Sequence, residues 1–273
     1  MKINCSNFLR LGLFCLSMLV YPTFANANKA DTTLLAENTI TQPVAEMTTK
    51  LPSNVIYPSS LEESRDQSIE YIRTFSEKRK TYLLSLYKQG KKIFPRVSSV
   101  LKQYGLPEEL RVLIALESGF NGNAVSRVGA VGYWQIMDDV AKEYGLKISN
   151  STQTSGKGKN KDDRKNFIKS TVAAARYLKD RCRNLNNDLL LIVAAYNWGI
   201  GNIWNAMSRS GKTNPTFWDI KKYLPAETRS YVMNFITLNV IFQNIDKFSS
   251  HSLVFTPRTV RVVPTAVSEI GAE

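Results

Sequence analysis

The feature that most constrains the fold of this 273-residue chain is a run of five apolar residues, 112–116, that ends in Glu117. Pro107 and two acidic residues precede the run, and proline and acidic side chains both favour the first turn of a helix. Gly119 follows, and glycine is the usual residue just past a helix end. The pattern predicts a buried, central helix over residues 110–117 that carries one carboxyl group at its end.

Helical spacing of apolar residues also dominates the rest of the chain. The predicted helices cover residues 61–87 (with Gly90 as the end), 97–104, 167–183, a segment from Asp188 to about residue 195, and 227–242. Strand-like patterns occur only at residues 253–255 and 260–263. The predicted fold class is therefore all-α, followed by a short strand-like C-terminal tail.

The N-terminus has the pattern of a secretory signal peptide. Lys2 and Arg10 are basic, residues 11–20 are apolar, and Ala25-Asn26-Ala27 offers a small-residue cleavage site. The apolar run is too short to span a membrane, although an uncleaved N-terminal anchor is the alternative. We therefore expect a chain that is secreted across the inner membrane and is periplasmic or associated with the cell envelope.

The predicted organisation has four parts. Residues 1–27 form the signal peptide, and residues 28–60, which are polar and interrupted by prolines, form a flexible linker. Residues 61–248 form one folded domain, and residues 249–273 form the tail. The lysine-rich residues 149–166 are expected to be a solvated, mobile loop.

Charge and rare residues limit the partners and site types. The net charge is +13, or +11 once Lys2 and Arg10 are removed. An exported basic chain meets acidic envelope polymers first, so no nucleic acid is expected as a partner. After cleavage Cys182 is the one cysteine, which excludes an internal disulfide and favours a small buried side chain. With His251 as the single histidine, no metal site and no cofactor are predicted.

The setting of Glu117 favours its neutral form. Apolar neighbours and the negative end of a helix dipole both disfavour a carboxylate, so its pKa is expected to be raised. A carboxyl group that stays protonated near neutral pH can serve as a general acid. An ordinary exposed glutamate at a helix end is the alternative for this local pattern taken alone.

Four motifs in a fixed order carry a family resemblance. They are ESGFN (117–121), SRVGAVGYWQIM (126–137), AAYNWG (194–199) and YLPAETRSYV (223–232). The set resembles the soluble-lytic-transglycosylase-like catalytic domain of the lysozyme superfamily, and within it the membrane-bound lytic transglycosylase D group. The match covers about residues 69–242, and it implies a mainly helical, lysozyme-like fold with a substrate cleft.

The resemblance also implies a reaction on peptidoglycan glycan strands. Glu117 would protonate the oxygen that links N-acetylmuramic acid to N-acetylglucosamine. As a carboxylate it would then take the proton from the 6-hydroxyl of the muramic residue, whose attack closes a 1,6-anhydro ring. Standard glycosidases use two carboxyl groups, whereas one would suffice here.

Three further residues match family positions in the second motif. The Ser126 hydroxyl is implied to lie near the acid and the substrate, and a turn residue is its alternative. Gln135 and Met137 match a pair that lines the groove, where an amide can bind an N-acetyl group. Their alternatives are a surface glutamine and a core methionine.

The last two motifs supply three more residues. Tyr196 is implied to form a hydrogen bond near the acid or the N-acetyl carbonyl, while Asn197 is expected to hold the following loop. Tyr231 matches a tyrosine at the cleft, with a buried core tyrosine as its alternative. Trp198 stands where the family commonly has a small residue, and Asn166 stands where it tends to have an aspartate.

The sequence is compatible with two other functions. A lysozyme-type hydrolase would need a second carboxylate to activate water, and Asp138 and Asp139 are the nearby candidates, although they are expected to begin the next helix. A non-catalytic glycan-binding envelope protein would keep the cleft without the activity. Association with envelope machinery and the oligomeric state are not determined by the sequence.

Overall fold

The computed structural model describes residues 47–148, 162–256 and 258–262. The predicted signal peptide, linker residues 28–46, residues 149–161 and tail residues 263–273 lie outside the described residues. Within the described ranges the chain is mainly helical, so the all-α prediction is confirmed. None of the helices there is long and apolar enough to cross a membrane.

The described elements comprise α-helices, short 3-10 helices and one pair of strands. The helices are α1 (Arg65–Lys78), α2 (Lys80–Gln103), α3 (Leu113–Ser118), α4 (Asp138–Glu143), α5 (Phe167–Asn184), α6 (Leu189–Trp198), α7 (Ile200–Ser210), α8 (Phe217–Ile220), α9 (Ala226–Gln243) and α10 (Ile245–Ser249). The 3-10 helices are Ser59–Ser64, Glu108–Val112, Asp163–Lys165 and Lys221–Tyr223. The strands β1 (Met47–Leu51) and β2 (Arg258–Val262) form an antiparallel pair.

Helix α6 lies at the centre of the core. Its residues 189–195 are all buried, and it packs against α5, α7 and α9. Asp188 begins the helix by accepting a hydrogen bond from the Leu191 N–H (2.9 Å). A helix without a polar face can be stable only when it is enclosed on all sides, which the surrounding helices achieve.

The first long helix differs from the sequence prediction. The helix is interrupted at Arg79, between α1 and α2. Helix α2 then continues through Gly90, where the first helix was predicted to end, and through Pro95 to Gln103. The Phe94 ring lies so close to Gly90 that a Cβ there would come within 2.2 Å of it. Gly90 is therefore a packing position inside a helix, where the absence of a side chain admits an aromatic ring.

The predicted linker boundary also differs, because the folded unit begins before residue 61. Strand β1 pairs with β2, and Val55 and Tyr57 are buried in the core. Asn54 joins the two ends of the domain: its N–H donates to the Val254 carbonyl (3.0 Å), and its side-chain oxygen accepts from the Val254 N–H (2.9 Å). Residues 47–60 are thus held by tertiary pairing, which local composition does not indicate.

Candidate active site

Glu117 lies in the last turn of the short helix α3, where the sequence predicted it. Leu113, Ile114 and Ala115 are buried beneath it. Gly119 ends the helix in the left-handed conformation (φ 56°), and its N–H donates to the Ala115 carbonyl (3.0 Å). Glu117 as a whole residue is half-buried.

The direct partner of the Glu117 carboxyl group is Tyr231 on α9. The Tyr231 hydroxyl donates to Oε1 of Glu117 at 2.5 Å. Among the described residues, no lysine or arginine forms an ion pair with this carboxyl group. Burial raises the pKa of Glu117 to about 8, and the hydrogen bond from Tyr231 lowers it only in part. Glu117 is therefore mostly protonated at neutral pH.

Two more phenols belong to this centre. The Tyr196 hydroxyl, at the end of α6, donates to the Trp134 carbonyl (2.8 Å). Its ring meets that of Tyr177 edge to face, with centroids 5.5 Å apart. Burial raises the pKa of Tyr196 and of Tyr177, and the nearby Glu117 charge adds to both increases. Tyr177 was not identified from the sequence, because a tyrosine within an amphipathic helix looks like any core residue.

A compact loop over residues 120–137 faces this centre. Short antiparallel bridges join Val125 to Val131 and Val131 to Ile136. Gly132 adopts φ 85°, and a Cβ there would come within 2.0 Å of a backbone oxygen, that of Arg164. A glycine is required at this position both for its backbone conformation and for the close approach of the neighbouring segment.

The predicted groove residues of this loop are engaged within it. Ser126 accepts a hydrogen bond from the Ala130 N–H (2.9 Å), as a turn residue does. Gln135 is buried, and its amide nitrogen donates to the carbonyls of Gly132 (2.8 Å) and Ala124 (3.3 Å). Its Oε1 is buried without a partner among the described residues. The half-exposed Met137 stands just before α4. Their contacts with a substrate remain a prediction.

The residues after Tyr196 join α6 to α9. The side-chain oxygen of Asn197 accepts a hydrogen bond from the Thr228 hydroxyl (2.9 Å), a contact consistent with the expected structural role. The half-buried Trp198 ends α6, and its carbonyl accepts from the Asn202 amide (2.6 Å). The Asn197–Thr228 contact joins α6 to α9, the helices that carry Tyr196 and Tyr231, and the Trp198–Asn202 contact joins α6 to α7.

The candidates for a second carboxylate lie elsewhere. Asp138 and Asp139 are both exposed in the first turn of α4, the position expected for them. Asp138 forms an ion pair with Arg164. Within the described ranges no group of three histidine, cysteine, aspartate or glutamate side chains could hold a metal ion. Glu117 is therefore the carboxyl group around which this site is organised.

The segment just before α5 contradicts a sequence expectation. Residues 162–166 were expected to belong to a solvated, mobile loop, yet Asp163 and Arg164 are buried and form a 3-10 helix with Lys165. Asn166 begins α5 by accepting from the Lys169 N–H (3.0 Å). The segment is ordered because its charges are paired inside the protein, and composition alone gives no sign of that pairing.

A surface groove runs between α2 and the 3-10 helix that precedes α3. Its lining residues are Tyr87, Lys91, Phe94, Pro95, Ser98, Glu108 and Arg111. None of them is a predicted site residue. The position of a glycan-binding cleft beside Glu117 therefore stays a prediction.

Comparison with known proteins supports the family resemblance. Residues 98–218 match the family described as Transglycosylase SLT domain. The membrane-bound lytic murein transglycosylase D of Escherichia coli (strain K12) is 32% identical over 187 residues, which are 67% of this chain and 38% of that protein. A putative tributyltin chloride resistance protein of Alteromonas sp. (strain M-1) is 30% identical over 122 residues, 44% of this chain and 55% of that protein.

Among solved structures, the 70 kDa soluble lytic transglycosylase of Escherichia coli matches with a TM-score of 0.43 and 20% identity. The match covers 69% of this chain and 31% of that one. The chain thus spans well under half of the length of the transglycosylase D relative and of this structure. The resemblance that the four motifs indicate is confirmed by the family match and by the transglycosylase D relative.

Proposed function

We propose that this chain, a member of the transglycosylase SLT family, is a peptidoglycan lytic transglycosylase that uses Glu117 first as an acid and then as a base. The observation that carries the proposal is the state of this one carboxyl group. Glu117 is a half-buried residue whose carboxyl group has a neutral phenol instead of a cation as its partner, and burial raises its pKa to about 8.

The acid step follows from that pKa. At neutral pH the Glu117 carboxyl group holds a proton that it can transfer to the oxygen between N-acetylmuramic acid and N-acetylglucosamine. Proton transfer to the leaving oxygen lets the glycosidic bond break, with positive charge developing on the muramic ring. A general acid whose pKa lies near the working pH supplies this proton most effectively.

The base step uses the same group after it has lost its proton. The Glu117 carboxylate accepts the proton of the muramic 6-hydroxyl while that oxygen attacks the anomeric carbon. This new C–O bond takes the place of the glycosidic C–O bond that was broken in the acid step, and Glu117 regains its proton. The Tyr231 hydroxyl donates to Oε1 throughout, and this hydrogen bond stabilises the carboxylate during the interval.

The same geometry bears on the hydrolytic alternative. An inverting hydrolase needs a second carboxylate on the opposite side of the sugar to activate water. Asp138 and Asp139 are exposed, and Asp138 pairs with Arg164. This arrangement favours attack by the sugar's own hydroxyl over attack by water.

Location and partners form part of the proposal. The N-terminal pattern of residues 1–27 supports export, and peptidoglycan glycan strands are the proposed partner. The named activity of the transglycosylase D relative supports action on murein. A glycan-binding protein without activity is the other candidate, and it would not require a protonated carboxyl group.

Product analysis tests the proposal. Purified peptidoglycan is digested with the wild-type chain and with Glu117→Gln, which keeps the size of the side chain and removes the acid. Mass spectrometry should show muropeptides with 1,6-anhydromuramic ends for wild type and none above background for the variant. Reducing ends would instead show a hydrolase, and equal products from both chains would remove Glu117 from the mechanism.

A further inference from the structure

Arg164 is a buried cation whose partners lie in two segments. Its side chain is 6% exposed. Within its own segment, the guanidinium Nε and Nη2 donate to the Asp162 carboxylate at 3.0 and 2.6 Å. Across the interface with the 120–137 loop, Nη1 donates to the Ile136 carbonyl (3.3 Å) and lies 3.5 Å from the Gly129 carbonyl. Nη1 also pairs with Asp138, the first residue of α4, which directly follows the loop.

The backbone of Arg164 approaches the same loop. The space where a Cβ of Gly132 would lie is only 2.0 Å from the Arg164 carbonyl oxygen. The Arg164 side chain thus contacts the carbonyls of Gly129 and Ile136, and the Arg164 main-chain carbonyl lies against Gly132. A planar guanidinium offers five donors in a fixed arrangement, so it can serve carbonyls and carboxylates together.

The loop in turn holds two groups next to Glu117. The hydroxyl of Ser118, the residue that follows Glu117, donates to the Tyr133 carbonyl (2.8 Å). The Tyr196 hydroxyl donates to the Trp134 carbonyl (2.8 Å). Both carbonyls lie between the two loop positions, Gly129 and Ile136, whose carbonyls face Arg164.

We propose that Arg164 is a positioning residue that fixes the 120–137 loop, so that the carbonyls of Tyr133 and Trp134 hold Ser118 and Tyr196 in place around Glu117. The catalytic part of this inference rests on the proposed function. The structural part is the set of contacts from Arg164 to Asp162, to Asp138 and to the 120–137 loop, which we call the clamp. It stands on these contacts alone.

The clamp requires an arginine. A lysine at position 164 would keep the charge, but its three N–H donors sit on one nitrogen and lack the planar spread of a guanidinium. They cannot reach Asp162, Ile136 and Asp138 together. If the positive charge alone were needed, Arg164→Lys would behave as wild type. If the fixed arrangement of donors is needed, the lysine variant should release the loop while the folded domain persists.

The experiment compares full-length Arg164→Lys with wild type and with Arg73→Lys. Arg73 is a matched control because it is a partly exposed arginine that pairs with two carboxylates, Glu70 and Glu77, on α1. Hydrogen exchange measures the amides of residues 124–136 and, as an internal reference, those of α9. Steady-state kinetics on soluble glycan fragments gives kcat, KM and the alkaline limit of activity.

For Arg164→Lys we expect faster exchange in residues 124–136 by about tenfold or more, with α9 unchanged. We expect kcat to fall by about tenfold or more and KM to change less, since small misplacements near the chemistry are costly. The alkaline limit should move to lower pH, because water admitted beside Glu117, which faces the phenols of Tyr177, Tyr196 and Tyr231, would lower its pKa. Arg73→Lys should match wild type in each measurement.

Unchanged loop exchange in Arg164→Lys would overturn the clamp, whatever the kinetics. Faster loop exchange with wild-type kcat and alkaline limit would overturn the positioning role. If the wild-type chain forms no product, the proposed function fails, while the exchange result still decides the clamp. If Arg164→Lys does not fold, Asp138→Asn removes only the exposed partner, and it should accelerate loop exchange by a smaller factor; no change there would also contradict the clamp.

Discussion

Two carboxyl groups of this domain, one at Asp219 and one at Glu117, have opposite surroundings. The partners of Asp219, in the first turn of α8, are Lys212 and then the N–H (2.8 Å) and hydroxyl (2.9 Å) of Thr216, which lower its pKa to about 2. Glu117, at the end of α3, has Tyr231 as its hydrogen-bond partner, and burial raises its pKa to about 8.

The comparison shows how the same functional group is held ionised in one place and protonated in another. Asp219 accepts three charge-stabilising hydrogen bonds at the surface, so it stays ionised and closes a capping box. Glu117 has lost much of its hydration and has one neutral donor in return. Burial at Glu117, and the number and charge of the partners at Asp219, decide the protonation state of each carboxyl group.

The largest expected effect is on activity. Glu117→Gln should lower the rate of peptidoglycan clearing by about 10²–10⁴-fold, the usual contribution of a general acid. Asp219→Asn, the matched change at the structural carboxyl group, should stay within about twofold of wild type because Asp219 has no place in the proposed chemistry. The measurement is the rate at which peptidoglycan turbidity decreases under identical conditions. An equal decrease of this rate in both variants would contradict the distinction between the two carboxyl groups.

A smaller effect on activity is expected when the hydrogen-bond donor to Glu117, the Tyr231 hydroxyl, is removed. Tyr231→Phe deletes the hydrogen bond that lowers the pKa of Glu117, so the alkaline limit of activity should move above pH 8. The carboxylate needed in the base step would also lose a donor, and kcat should fall by about 10–100-fold, as for hydrogen bonds to charged groups. A pH–rate profile from pH 5 to 10 measures both.

Tyr71→Phe is the matched control for that profile. The Tyr71 hydroxyl donates to the side chain of Asn234, also on α9, at 2.9 Å. Its removal should leave the alkaline limit unchanged. A Tyr231→Phe profile whose limit moved to lower pH would show that the phenol does not act on the carboxyl group as the geometry requires.

The smallest expected effect is on stability. Between pH 4.5 and 8 the folded chain binds more protons at Glu117 than the unfolded chain does, so the free energy of unfolding should fall as the pH rises. Glu117→Gln removes this titration. The free energy of unfolding of Glu117→Gln minus that of wild type should therefore increase by on the order of 1–3 kcal/mol between pH 5 and pH 8.

Asp219→Asn tests a pKa shift of the opposite sign, because the pKa of Asp219 is lowered in the folded chain. The stabilising contribution of Asp219 is fully present above its ordinary pKa of 3.8 and is lost as the pH falls through about 2. The free energy of unfolding of Asp219→Asn should thus differ from that of wild type by a constant amount between pH 5 and 8. Urea unfolding at several pH values measures both variants, and a flat difference for Glu117→Gln would contradict the raised pKa.

Several parts of the molecule were predictable because they depend on local pattern. Helices α5, α6 and α9 begin and end within a few residues of their predicted limits, since apolar spacing and caps such as Asp188 act within one or two turns. The position of Glu117 at a helix end and the burial of Cys182 also follow from neighbouring residues. By contrast, helix α7 was not predicted; it follows α6 directly, with Gly199 between the two helices.

The sequence by itself determined a helical domain with one carboxyl group at the end of an apolar helix, because neighbouring residues specify helix, cap and apolar face. Tertiary structure alone decided that Tyr231, 114 positions away, reaches this carboxyl group, and that Gly90 lies inside a helix. It also decided that Arg164 is buried against the 120–137 loop. Contacts between distant segments depend on how whole helices pack, and no local pattern encodes that packing.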